Sequence, residues 1–123
     1  MTQPSPADEI RAAAAQLRAL AEAAAEASGS ATWGATRHFP ELPDSTFTEL
    51  WGSRPLMGGG GGRGRPPAYV SAPVGDYIAA MGPAVGLALA GWLESLAGID
   101  VSEHHPLPDE YQHALTITRQ LPR

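Results

Sequence analysis

The sequence predicts a mainly α chain with a small β-hairpin, an α+β arrangement. Three observations carry that expectation. Residues 5–28 form an alanine-rich stretch with a capping start and a glycine stop. Residues 76–121 show helical spacing of apolar groups on both sides of a Gly82-Pro83 break. Between them, residues 30–73 lose every helical period and gather prolines, glycines and aromatics. With 123 residues and a mass of 12.8 kDa, the chain fits one domain, 1–123.

The long N-terminal helix has the strongest signals. Ser5 is placed to cap it, Pro6 occupies the first turn without losing a needed N–H, and Asp8 and Glu9 complement the positive end of the dipole. Ala12–Ala15 and the alanines that follow supply the highest helix propensity, and Gly29 stops the run. Its apolar seam reads Ile10, Ala13, Leu17, Leu20, Ala24 and Ala27, in alternating steps of three and four. The seam is narrow, so this helix needs a partner surface, in the same chain or in a second copy.

The irregular hairpin region spans 30–73. Residues 46–51 and 68–72 are rich in β-favouring side chains with partial alternation and read as its two strands. The run Gly58–Arg65, with five consecutive glycines, reads as a mobile loop tip between them. Farther on, Tyr77–Met81 makes a short helix, and Gly82-Pro83 turns the chain into a core helix with Pro83 at its first position. Val85, Leu89, Trp92 and Leu96 share one face of that helix, with Leu93 beside it and Gly98 at its end. Tyr77 and Trp92 are expected to pin the hairpin from segments that meet at an angle. An acidic connection, 100–108, leads to a short C-terminal helix with Asp109 and Glu110 in its first turn and Arg119 near its end. Tyr111, Ala114, Leu115, Thr118 and Leu121 form its apolar face.

Composition excludes several classes. Without Cys there is no disulfide scaffold, zinc ribbon, redox pair or thiol nucleophile. All eight basic residues are Arg, and against thirteen acids they leave a net charge of -5, unsuited to a general nucleic-acid binder. The first residues lack a basic n-region, so no secretory signal is expected. The uncharged stretch 77–93 is short for a bilayer, flanked by Asp76 and Glu94 and diluted by Gly and Pro, and reads as a buried helix. Of the 43% hydrophobic residues, 22 positions are Ala, a thin core for a free-standing domain.

The start Asp8-Glu9-Ile10-Arg11-Ala12-Ala13-Ala14, the Trp33 that follows the first helix, the run Tyr77-Ile78-Ala79-Ala80-Met81-Gly82-Pro83-Ala84-Val85-Gly86-Leu87-Ala88-Leu89-Ala90-Gly91-Trp92-Leu93-Glu94, and the final Ala114-Leu115-Thr116-Ile117-Thr118-Arg119 together resemble small accessory proteins of actinobacterial phages and prophages. These are similar, more distantly, to the Ead-type early proteins of lambdoid phages, whose core reads approximately Tyr-Ile-Ala-x-x-x-Pro-x-x-x-Leu-Ala-Leu. The resemblance covers the first helix and the chain from about Asp76 onward. Ser30-Ala31-Thr32-Trp33 keeps the Trp of the usual Ala-Thr-Pro-Gly-Pro-Trp and lacks both prolines. That family has no defined catalytic residues to carry over. The resemblance implies a phage-derived, non-essential oligomer in the host cytoplasm.

Two side-chain groups are candidates for chemistry. Arg54, Arg63 and Arg65 give 54–65 a local charge of +3, enough to hold a small anionic ligand such as a nucleotide. The competing reading is a solvated tip that offsets the acidic body, and no Gly-Lys-Ser/Thr makes a phosphate loop. His104, His105, Asp109 and His113 are metal-capable, with Asp109 and His113 one turn apart, although Pro106 and Pro108 read as a solvated linker. No nucleophile–base spacing, paired carboxylates or dinucleotide fingerprint is present.

The expected function is therefore non-enzymatic. It is that of a phage-derived accessory protein acting by protein binding, for example on a host defence or regulatory system, as a homo-oligomer without cofactor, membrane or specific nucleic acid. Ile10, Leu17, Leu20, Val85, Leu89, Trp92 and Leu96 are its oligomer or packing face. The alternatives are an oligomer that sequesters a small anionic ligand and a small metal-dependent hydrolase.

Overall fold

The computed structural model describes residues 4–37, 46–57, 69–99 and 107–122. In chain order these form α1 (Pro6–Ser28), β1 (Gly34–Arg37), β2 (Phe47–Trp51), β3 (Tyr69–Ser71), α2 (Ala72–Ala80), α3 (Pro83–Ala97) and α4 (Asp109–Gln120). The mainly α class with a small antiparallel sheet is the observed one. Two compact units divide the chain, one holding 1–20 with 87–123 and the other 21–86.

In the first unit, Ile10, Ala13 and Ala14 of α1 meet Leu93, Leu96 and Ala97 of α3 and Tyr111, Ala114 and Leu115 of α4. Leu17, Leu107 and Leu121 pack around this cluster. Full burial of each large apolar group contributes roughly 1.5–3 kcal/mol, and the alanines add less while letting the helices approach closely. Ser5 caps α1 as its position requires, its Oγ accepting the Asp8 N–H at 3.1 Å. Ion pairs rim the cluster, Arg18 to Glu94 at 2.8 Å and Arg119 to Glu9 at 3.1 Å. Gln16 Nε2 donates to the carbonyl of Pro122.

The second unit is built on a sheet of order β1-β2-β3, antiparallel throughout. β1 is a third strand where a two-stranded hairpin is expected from sequence. Gly34-Ala35-Thr36-Arg37 has no apolar alternation, and its strand geometry comes from pairing, Gly34 with Trp51 through Arg37 with Thr48. α2 packs on all three strands. It starts at Ala72, earlier than expected, because Pro73 is tolerated in a first turn and Ser71, with ψ 143°, is still extended. Gly75 permits the contact, since a Cβ there would lie 1.9 Å from Thr48 Cγ2. Arg37 reaches from β1 to Asp76 at 3.1 Å. The Gly-Pro corner stands as expected, ending α2 at Ala80 and starting α3 at Pro83. The first free amide after it, Ala84 N–H, donates to Ala31 O at 2.8 Å.

Three packing expectations change. On α1 Ile10 and Ala13 of the expected seam are buried and Leu17 packs half-buried on the core, but Ala14, Ala21 and Ser28 are buried as well and Leu20 is 55% exposed. Ala14, Ala21 and Ser28 repeat every seven residues, as Ile10 and Leu17 do, so the heptad spacing is kept while the buried line is shifted by one residue, from Leu20 to Ala21 and from Ala27 to Ser28. On α3 the buried residues are Pro83, Ala90, Leu93, Leu96 and Ala97, with Leu89 half-buried and Val85 and Trp92 toward solvent. Tyr77 is 69% exposed and does not pin the sheet, a role taken by the close approach of Gly75.

Candidate interaction surface

β2 alternates cleanly. Thr48 and Leu50 are buried on the side of α2, and Phe47, Glu49 and Trp51 lie on the opposite face. Cross-strand partners share a face, so Thr36 of β1 and Tyr69 of β3 stand beside Glu49, with Gly34 beside Trp51 and Ser71 beside Phe47. Phe47 and Tyr69 are diagonal neighbours, with ring centroids 5.2 Å apart and planes tilted by 59°. They remain 46% and 45% exposed, and Trp51 is half-buried. α2 lies on the other side, and this face joins aromatic area to the half-buried Glu49 carboxylate. The alternation of 47–51 was legible in the sequence as a strand. What it did not reveal was which face α2 would take.

The sequence-derived candidates are dispersed. Arg54 lies at the end of α1, where its Nε donates to Ala27 O at 2.9 Å and Nη2 to Glu26 O at 3.1 Å. Arg63, Arg65, His104 and His105 lie outside the described residues. Asp109 and His113 are exposed on α4, and no group of three or more His, Cys, Asp or Glu able to hold a metal occurs among the described residues. Of the expected packing face, Ile10 and Leu96 are buried, Leu17 packs on the core and Leu20 is exposed.

Around the end of α1 the neighbouring groups are also matched. Ser53 donates its N–H and hydroxyl to Ser28 O at 2.9 and 3.1 Å, and Trp33 Nε1 donates to Ser28 Oγ at 2.9 Å. In the first unit a groove of about 590 Å³ runs beside α1 and the last turn of α4, lined by Asp8, Glu9, Gln16, Thr118 and Arg119. Its charged groups pair within the fold, Glu9 with Arg119 and Asp8 with Arg11. Among the described residues the buried Tyr111 hydroxyl has no hydrogen-bond partner, and burial raises its pKa.

No family model, curated protein or solved structure matches the chain. Among the described residues, no single helix is long and apolar enough to cross a membrane; α2 and α3 reach that length and composition only together, as a bent pair.

Proposed function

We propose that this protein works by binding another protein through the open face of its sheet and carries out no chemistry of its own. In this reading it is a phage- or prophage-derived accessory protein that acts on a host defence or regulatory component. The observation that carries the reading is the Phe47–Tyr69 pair, two large rings left almost half-exposed on a face that α2 does not occupy. Aromatic anchors of this kind dominate binding energy at protein interfaces. The phage origin is supported only by the resemblance of the α1 start, Trp33, 77–94 and 114–119.

The test is capture from an actinobacterial lysate with the immobilised chain, the Phe47→Ala/Tyr69→Ala variant and a Val74→Ala control on the outer side of α2. A partner retained by the parent and the control, and lost from the double variant with its circular dichroism unchanged, supports the reading. Equal retention by all three removes the open face as the docking surface.

A further inference from the structure

We propose that the outer side of α2 is the contact through which two copies of this chain pair about a two-fold axis. The inference is independent of the open face of the sheet, which lies on the side away from α2. A helix lying on a sheet ordinarily turns apolar groups inward and charged groups outward. α2 turns only small residues inward: Ala72 and Gly75 are its buried positions, and Gly75 rests against Thr48. Its larger apolar groups lie on the opposite side. Val74, Tyr77 and Met81 follow steps of three and four, and all three are exposed, Tyr77 by 69%. Pro73 and Ala80 are exposed with them. Met81 continues the last turn, its N–H donating to Tyr77 O at 3.1 Å. The outward side of α2 is thus an apolar ridge with an aromatic ring near its middle, the kind of exposed surface that marks a contact site.

Charge selects the occupant. Two copies, each with a net charge of -5, repel unless they meet where neither presents an acid. Residues 77–93 are the longest uncharged run in the chain, and Tyr77 begins it. Asp76 is the one charged residue of α2, and Arg37 of β1 already holds it at 3.1 Å. A basic partner, which the net charge favours elsewhere on the chain, therefore has no unpaired carboxylate to engage on this helix. A nucleic acid or an anionic bilayer would need cations, and α2 carries none. The surface that fits an uncharged apolar ridge is another like it. Symmetry gives a second reason. Tyr77 is one residue past the midpoint of α2, so two such helices crossing antiparallel put Tyr77 beside the Tyr77 of the second copy and Val74 beside its Ala80. A ridge on a nine-residue helix falls short of the roughly 800 Å² per partner of a standard interface, so the pairing is weak and reversible.

The experiment is sedimentation velocity of the full chain from about 1 to about 200 µM. Across that range the parent is expected to move from the mass of one chain toward that of two. Tyr77→Glu and Tyr77→Arg each set like charges against each other at the axis and are expected to weaken the pairing about a hundred-fold. An equimolar mixture of these two variants is expected to recover it, because unlike charges then meet across the axis. A position this exposed on a helix tolerates either side chain, and circular dichroism of each variant checks that the fold is kept. Phe47→Ala/Tyr69→Ala, on the far face of the sheet, is expected to pair as the parent does. A parent that stays a single chain at the highest concentration overturns the proposal. So does a Tyr77→Glu variant that pairs like the parent, or a mixture that pairs no better than its components. Pairing lost in Phe47→Ala/Tyr69→Ala and kept in Tyr77→Glu would place the contact on the sheet instead.

Discussion

The guanidinium of Arg54 donates its Nε–H to the carbonyl oxygen of Ala27 at 2.9 Å, closing the C-terminus of a helix that has no basic residue in its own last turn. α3 also lacks one, and there Arg11 Nη2 donates to the Ala97 carbonyl at 3.2 Å. α4 alone supplies its own, Arg119. In each case a positive group meets the negative end of the helix dipole.

Replacing Arg54 should therefore loosen the end of α1. Arg54→Ala is expected to lower stability by about 1 kcal/mol, and Arg54→Lys to recover only part of that, because an ammonium cannot span the Glu26 and Ala27 carbonyls with a fixed fork. Urea unfolding followed by circular dichroism measures both. An unchanged midpoint in Arg54→Ala would show that the two hydrogen bonds contribute nothing.

Gly75 and Thr48 form a size-coupled pair. A Cβ on residue 75 would overlap Thr48 Cγ2 and lie 3.1 Å from Val70 Cγ2. Gly75→Ala should cost about 1–3 kcal/mol. Thr48→Ser removes the obstructing methyl, so the double variant should be more stable than the two single losses add up to. Strict additivity in the thermal midpoints would contradict this packing. Thr48 Oγ1 is also buried without a hydrogen-bond partner, and Thr48→Val should raise stability by about 1 kcal/mol.

Tyr111 should make the fold sensitive to alkali. Burial is the main cause that lifts its phenol above the ordinary 10.0; Arg11 opposes the rise and Asp8 adds to it. The folded chain thus keeps this proton to higher pH than the unfolded chain does. Below pH 10.0 both states hold it and its contribution is constant; above, the unfolded state ionises first and stability falls as pH rises toward the folded value. Tyr111→Phe should abolish that part of the alkaline decline and cost little at neutral pH, because the hydroxyl has no partner to lose. Unfolding midpoints for parent and variant between neutrality and strong alkali provide the measurement.

Self-association, expected from the thin alanine core, can be read at Leu20. This side chain is 55% exposed on α1 although its sequence position suggested the buried seam. If copies associate through it, Leu20→Glu should shift the light-scattering mass toward that of one chain without changing the circular dichroism. A parental mass equal to a single chain at micromolar concentration would end that expectation.

The sequence by itself determined the features that act within a few residues. Ser5 and Gly29 bound α1, the latter with φ +74° where a side chain would be strained. The alternation of Phe47–Trp51 made a strand, Gly82-Pro83 made a corner, and Tyr111, Ala114 and Leu115 formed the buried face of α4. Only the tertiary structure decided what depends on groups distant in the chain. Gly34–Arg37 is a strand because β2 pairs with it, and burial on α1 falls on Ala21 and not on the adjacent Leu20 because packing, not the apolar repeat, decides which flank of the seam is covered. Arg54, read in sequence as part of a basic loop, became a helix cap 27 residues from its acceptor. Phe47, Glu49, Trp51 and Tyr69 came to share one face only when β3 paired with β2 and α2 packed on the Thr48 side. Local propensity acts over a turn or a strand; cross-strand register and capping depend on which distant groups folding brings together.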